Sequence, residues 1–400
     1  MKSIFFRINI FILFIFLCVI RVISSLEFNY PSAISLNNGN IFIIEKMGIF
    51  IYDEQLKNLI HEYPFTEESE KINTLDKLSN IIIKKSNNYI ICLINLRIYF
   101  FNEVGELLLK ENYRITTDEC YHLALTPIPL NDNNNFYYIV GYYTYSSQNE
   151  VYILHLLYYK IDLIENKNYY INSLEFDIFI SSFWGNEYDF LNQGLDCEYM
   201  SMEDDNDIMQ LTCFVIIKRS SKPTLSQIFF DVDETKISKS DDYYYDYVES
   251  LKEVKKLRSI TNNNRDNSLI CILFTDKSVN CYLFSYGSKG NFYETIKLNF
   301  NCRSELYGMK LNYLEEYQKI ALSCIDDNAT VQANFFNDQF YSISSYKQFS
   351  ECQSIYGHSV IYSNSKLNVI SDVICDNITR IYEPLDGALS PFIEIIEITL

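Results

Sequence analysis

The stretch Asn80–Lys110, NIIIKKSNNYIICLINLRIYFFNEVGELLLK, decides how this chain is to be read. It divides into Asn80–Ile83, a polar turn at Ser86-Asn87-Asn88, Tyr89–Ile94, Arg97–Phe101, a second turn over Asn102–Gly105, and Leu107–Lys110. Short runs rich in Ile, Tyr and Phe, separated by Asn, Ser and Gly, have the composition of strands joined by tight turns. Four of them in succession build one antiparallel sheet. The preceding segment follows the same plan: Ser32–Leu36, the turn Asn37-Asn38-Gly39-Asn40, Ile41–Ile44, a break at Lys46-Met47-Gly48, Ile49–Tyr52 and Leu59–Glu62.

Farther along, the strands lengthen but the grouping persists. His122 through Phe136 to Tyr143 and Val151–Ile161 form one group; Cys197–Met200, Leu211–Lys218 and Leu225–Asp231 form the next. Leu257–Thr261, Leu269–Phe274 and Val279–Tyr286 follow, then Tyr307–Leu311, Lys319–Cys324 and Val331–Phe336. The last group begins near Ser359–Tyr362 and Leu367–Ser371. Groups recur every ~45 to 60 residues, close to the ~40 to 50 of a β-propeller blade. The expected fold is therefore all-β: a β-propeller of seven blades, each a four-stranded antiparallel sheet, occupying residues 26–400 as one domain. The alternating C-terminal run Phe392–Leu400 is expected to close the ring beside the N-terminal segment. One segment breaks the rhythm. Val248, Leu251, Val254 and Leu257 recur at helical spacing within Tyr245–Leu257, which predicts a helix after a solvated Asp241–Asp246 loop.

Residues 1–25 carry the three parts of an export signal. Lys2 and Arg7 give a positive start, Ile10–Ile20 is unbroken and apolar, and Val22-Ile23-Ser24-Ser25 offers a cleavage site after Ser24 or Ser25. A run of 11 residues is too short for a bilayer, which takes ~20, and no later run is long enough. A secreted or cell-surface protein without a transmembrane span after cleavage is expected. Loss of Lys2, Arg7 and Arg21 takes the net charge from −19 to −22. So acidic a surface repels nucleic acid, which is not expected as a partner. At 48% hydrophobic and 16% aromatic, the chain has ample apolar material for a packed core.

Of 11 cysteines, Cys18 lies in the signal, leaving ten, an even number that suits a disulfide framework in an exported chain. Their order suggests neighbouring pairs: Cys92 with Cys120, Cys197 with Cys213, Cys271 with Cys281, Cys302 with Cys324, and Cys352 with Cys375. Cys271 and Cys281 flank the polar turn Thr275-Asp276-Lys277-Ser278, so their thiols can meet across one hairpin. Asn328-Ala329-Thr330 and Asn377-Ile378-Thr379 are glycosylation acceptors.

Ile228-Phe229-Phe230-Asp231-Val232-Asp233-Glu234-Thr235 resembles the first motif of haloacid-dehalogenase-type phosphatases. That resemblance implies Asp231 as nucleophile, Asp233 as general acid-base and a bound Mg²⁺, with Thr275 and Asp326-Asp327 near later motifs. Against it, Lys236 replaces the family's apolar residue, and the helices a parallel sheet needs are missing. The residue-level reading is a strand ending in an acidic loop, with no catalytic residue assigned. Glu203-Asp204-Asp205-Asn206-Asp207 and Asp231-x-Asp233 offer hard oxygen ligands suited to Ca²⁺, but both lack the Gly and distal Glu of an EF-hand. They read as solvated loops, and no metal or other cofactor is expected. His61, His122, His155 and His358 neighbour no nucleophile in sequence. Trp184 and the Tyr142–Tyr145 and Tyr243–Tyr247 loops are candidate contact residues.

The Asn/Ile/Tyr texture, with Cys197-Glu198-Tyr199-Met200 and Leu211-Thr212-Cys213-Phe214, resembles lineage-specific exported proteins of AT-rich protists. The functional expectation is a non-enzymatic, secreted or surface-displayed module binding a protein or glycan at a cell surface. A hydrolase, either the phosphatase or a propeller enzyme, is the alternative, and a fragment of a longer anchored surface protein is a third reading.

Overall fold

The computed structural model describes residues 32–45, 48–54, 57–66, 81–86, 88–94, 97–112, 121–130, 132–146, 151–178, 194–201, 209–219, 222–245, 254–261, 267–274, 276–285, 291–302, 309–314, 318–326, 330–340, 342–349, 354–363, 366–374 and 393–398. Every regular element among them is a strand. The first sheet holds β1 (Ser32–Ser35), β2 (Ile41–Glu45), β3 (Gly48–Tyr52) and β4 (Leu59–Pro64). The second holds β5 (Ile81–Ser86), β6 (Tyr89–Ile94), β7 (Arg97–Asn102) and β8 (Leu107–Asn112). The third holds β9 (Tyr121–Ile128), β10 (Asn135–Ser146), β11 (Val151–Asp162) and β12 (Lys167–Ile178). The fourth holds β13 (Leu195–Ser201), β14 (Met209–Arg219), β15 (Lys222–Val232) and β16 (Ile237–Tyr245). The fifth holds β17 (Val254–Thr261), β18 (Asn267–Phe274), β19 (Ser278–Ser285) and β20 (Asn291–Asn301). The sixth holds β21 (Met309–Leu314), β22 (Lys319–Ile325), β23 (Thr330–Phe336) and β24 (Ser342–Phe349), and the last holds β25 (Ser354–Ser363), β26 (Lys366–Ile374) and β27 (Ile393–Ile398).

Each sheet is an antiparallel meander in strict chain order. The fold is an all-β propeller. The expected seven four-stranded blades are corrected: six sheets are four-stranded, and the last has three strands among the described residues. The first strand of each sheet contacts the first strand of the next, and β25 returns to β1. First strands therefore surround the centre, while the fourth strands β4 and β8 are largely exposed.

Packing between blades explains why inner strands such as β6 and β18 are apolar on both faces rather than alternating. In β6, Ile90, Cys92 and Ile94 enter the core shared with the first blade, while Ile91 and Leu93 enter the core shared with the third. In β18, Leu269, Cys271 and Leu273 face the sixth blade, and Ile270, Ile272 and Phe274 face the fourth. A strand buried on both faces reads as a continuous apolar run.

Turn chemistry fixes the register. Asn102 Oδ1 accepts from Val104 N at 3.2 Å and Glu106 N at 2.9 Å, while Gly105 N donates to Asn102 O at 3.1 Å. Gly105 has φ +90°, and a Cβ there would collide with Ile51 Cδ1 of the first blade. Tyr63 of β4 donates its hydroxyl to Gly105 O at 3.2 Å, so this turn also docks on its neighbour.

Three further expectations are corrected. The helix expected over Tyr245–Leu257 is absent from its described part, which ends β16 at Tyr245 and opens β17 at Val254. A bulge between Val254 and Lys256 adds one residue to the ladder, so a three-residue spacing serves as two. Asp241–Tyr245 continue β16 instead of looping. The C-terminal strand β27 pairs with β26, supplying that sheet's third strand, and it is β25 that meets β1.

Candidate functional site

Polar and charged side chains on otherwise apolar first strands converge around the centre of the ring. Lys84 of β5 donates to Glu198 Oε1 of β13 at 2.7 Å, reaching past β9. Asp196, buried on the same strand, accepts from Ser259 N of β17 at 2.8 Å and from Cys197 N at 3.2 Å. Thr126 of β9 donates its hydroxyl to Cys197 O at 2.6 Å. On the far side, Lys310 of β21 donates to Ser359 Oγ of β25 and Ser32 Oγ of β1, both at 3.0 Å. Ser359 Oγ also accepts from Ala33 N at 3.0 Å, which pins β25 to β1.

These groups titrate in opposite senses. Burial alone would lower the Lys84 pKa, but Glu198 and Asp196 more than offset it and hold the ammonium above its ordinary value. Burial, then the positive charges of Arg258 and Lys310, push Lys256 well below its ordinary value, with Asp196 opposing. Lys310 is brought down to about 7 by burial and then by Arg258. Among the described residues, four cations (Lys84, Lys256, Arg258 and Lys310) share this region with two carboxylates. None was singled out from sequence. The available signal was a charge set beside an apolar residue in a first strand: Asp196 and Glu198 around Cys197, Lys256 and Arg258 around Leu257.

The residues singled out from sequence lie elsewhere. Asp231 is the penultimate residue of β15, where Gln210 Nε2 donates to its Oδ1 at 3.0 Å. Asp233 caps the following turn: its Oδ1 accepts from the Thr235 hydroxyl at 2.6 Å, Thr235 N at 2.7 Å and Lys236 N at 3.0 Å. The Thr235 hydroxyl first, and then the two N–H groups, hold its carboxyl below the usual range. Both aspartates sit at an antiparallel hairpin rather than the parallel sheet that the phosphatase resemblance implies. Asp326 accepts from Gln332 Nε2 at 3.0 Å within the sixth blade, whereas Thr275 and Asp327 lie outside the described residues.

Among the described residues three disulfides form: Cys197–Cys213, Cys271–Cys281 and Cys302–Cys324. The first two join directly opposed residues of neighbouring strands. The third fastens the end of the fifth blade to β22 of the sixth. The Cys92–Cys120 pairing is corrected on its described member: Cys92 is a buried free thiol, and burial pushes its pKa well up. Cys120, Cys352, Cys375, Asn328, Asn377, Trp184, the Glu203–Asp207 cluster and residues 1–25 lie outside the described residues. Among those described, no group of three or more His, Cys, Asp or Glu could hold a metal ion, and no helix is long and apolar enough to cross a membrane.

Sequence order concealed one further arrangement. Tyr142–Tyr145 lie in β10 rather than in a loop, and Tyr142 stacks on His155 of β11 at 4.7 Å. His155 Nε2 lies 2.6 Å from Thr144 Oγ1, and its Nδ1 lies 3.4 Å from Glu175 Oε1 of β12. Burial lowers the His155 pKa against the pull of Glu175.

No protein-family model matches the chain, and no curated protein matches it in sequence. Solved structures share its fold. The β-propeller domain of Vanderwaltozyma polyspora Nup133 is similar with a TM-score of 0.50 and 10% identity, over 86% of this chain and 91% of that one. The fission yeast SREBP–SCAP binding-domain complex gives 0.47 and 8%, over 88% and 91%. A six-bladed fungal lectin from Aleuria aurantia gives 0.44 and 9%, over 80% and 94%.

Proposed function

We propose that this chain is an exported, non-enzymatic binding module that engages a protein or glycan at a cell surface through the centre of its ring. The observation that carries the proposal is the convergence of Lys84, Asp196, Glu198, Lys256, Arg258 and Lys310 on first strands otherwise built for packing. Gathering that much charge in a half-buried place is costly to the fold, and such groups concentrate where a ligand is held. Three disulfides suit an oxidising compartment. The test is binding of the secreted protein to a glycan panel and to intact cells, with Arg258→Gln/Lys310→Gln as control. Saturable binding that this variant loses supports the reading. Binding to no surface, or binding indifferent to the variant, overturns it.

The Thr144–His155–Glu175 line favours a second reading, a hydrolase with Thr144 as nucleophile and His155 as base. A lowered His155 pKa keeps the imidazole neutral and able to accept the hydroxyl proton. Hydrolysis of p-nitrophenyl acetate that His155→Ala abolishes would support it; equal rates for both proteins would remove it.

A further inference from the structure

We infer that Ser32 is an acyl-acceptor hydroxyl, activated by Lys310 as general base, which takes the acyl group of an activated carboxylic ester. The inference goes beyond the binding reading: it adds one covalent event per molecule and asks for no turnover.

Three inner strands bring the groups together. Lys310 of β21 places its Nζ 3.0 Å from Ser32 Oγ of β1 and 3.0 Å from Ser359 Oγ of β25. Ser359 is only 1% exposed, and its Oγ also accepts from Ala33 N at 3.0 Å. It anchors the amine and is too enclosed to meet a ligand. Ser32 is half-buried, so its hydroxyl can be reached. Its backbone is fixed on two sides, by the ladder pairing of Ser32 with Ile44 of β2 and by the Ala33 N–H bond to Ser359. A hydroxyl and an amine therefore sit within hydrogen-bond reach of each other on a rigid scaffold, the arrangement a nucleophile and its base require. Serine paired with lysine is one of the combinations that perform acyl transfer.

Lysine acts as a base only when it is neutral near the working pH. Lys84 is held charged by Glu198 and Asp196. Lys310 is treated differently: burial, and then the charge of Arg258, bring its pKa down to about 7. Once neutral, the amine can donate an N–H to Ser359 Oγ and offer its lone pair to the Ser32 hydroxyl. Attack by Ser32 Oγ on the ester carbonyl carbon forms the new C–O bond while the hydroxyl proton passes to Lys310 Nζ. Collapse of the tetrahedral adduct breaks the bond to the leaving oxygen, and the ammonium returns the proton to that oxygen. An ester on Ser32, the free alcohol and a neutral Lys310 remain, and no oxidant or further reactant is consumed.

Labelling of the full secreted protein with a fluorophosphonate probe, whose phosphorus stands in for the ester carbonyl carbon, tests the inference. Ser32 Oγ displaces fluoride, and peptide mapping locates the adduct. The expected result is a single adduct on Ser32, lost in Ser32→Ala. Lys310→Arg keeps the charge but not the base, and should slow labelling by about a hundredfold or more. In the native chain the rate should rise with pH and reach half its plateau at about 7, as Lys310 loses its proton beside the charged groups Arg258 and Lys256 of β17. A lysine that only braces the two serines gives no such profile. Matched far-ultraviolet circular dichroism shows that each variant is folded. No adduct on Ser32, an equal rate in Lys310→Arg, or a rate that climbs with pH without a plateau overturns the inference. An adduct on Thr144 alone overturns it and favours the hydrolase reading instead. Ser32→Ala leaves Lys84, Arg258 and Lys310 in place, so cell and glycan binding by that variant judges the binding module separately.

Discussion

Lys84 and Glu198, 114 residues apart and on first strands separated by β9, form a 2.7 Å ion pair at the centre of the ring. The pair ties the second blade to the fourth, although neither is the other's packing neighbour. Glu198→Gln should cost about 2 kcal/mol, because it removes a charge-assisted hydrogen bond and leaves a largely buried ammonium. Lys84→Met in the same chain should recover part of that loss. Urea denaturation of the two single variants and the double variant measures the coupling.

The pH dependence of stability should carry the mark of Lys310. Its pKa falls from 10.5 to about 7 on folding, facing Arg258 and Lys256 as charged groups and Ser32 and Ser359 as neutral ones. Between those values the unfolded chain binds a proton that the folded chain does not, so stability should rise with pH from about 7 towards 10. Below 7 both states are protonated and the penalty is present in full. Lys310→Met should reduce this rise, leaving the part that the lowered Lys256 contributes, as read from thermal midpoints measured at pH 6, 8 and 9.

Opening the link between the fifth and sixth blades should be costly. Cys302–Cys324 closes a segment of sequence separation 22. By loop-closure entropy a loop of this size contributes about 3 kcal/mol. Cys302→Ser/Cys324→Ser should therefore lower the urea midpoint without abolishing the far-ultraviolet strand signal.

Cys92 should be chemically silent in the native protein. Its thiol is buried between the first and second blades and its pKa is raised, so little thiolate is present and none is accessible. Peptide mapping after iodoacetamide treatment should find Cys92 unmodified in buffer and modified in 6 M guanidinium. Modification in buffer would place the thiol in solvent.

Gly105→Ala should destabilise by several kcal/mol through two effects at once, a strained positive φ and a collision with Ile51. Asn102→Ala, which removes the side-chain acceptor of the same turn, should cost about 1 kcal/mol. Thermal unfolding of the two variants orders the effects.

The first two blades were legible in sequence almost residue by residue. Their turns, Asn37–Asn40 and Asn102–Gly105, use Asn side-chain acceptors together with the positive φ of Gly39 and Gly105. The fifth blade misled because the bulge after Val254 gives a strand the spacing of a helix. The candidate site was illegible for a different reason. Each sheet contributes one or two polar residues, and what unites them is the cyclic order of first strands, which sequence adjacency does not encode. Thr144, His155 and Glu175 were hidden likewise, by the hairpins that set β10, β11 and β12 side by side.

Every hydrogen-bonded strand pair among the described residues joins consecutive strands, so sheet formation there demands only local chain searches. The meeting of the first and last blades is different: Ala33 N donates to Ser359 Oγ across a separation of 326 residues. Low contact order should let the sheets condense early, each as its own hairpins close. The entropy of uniting distant ends is then met once, at the seam between β1 and β25, where side chains rather than a shared ladder make the join. That seam is where the closed ring should be slowest to assemble and first to part.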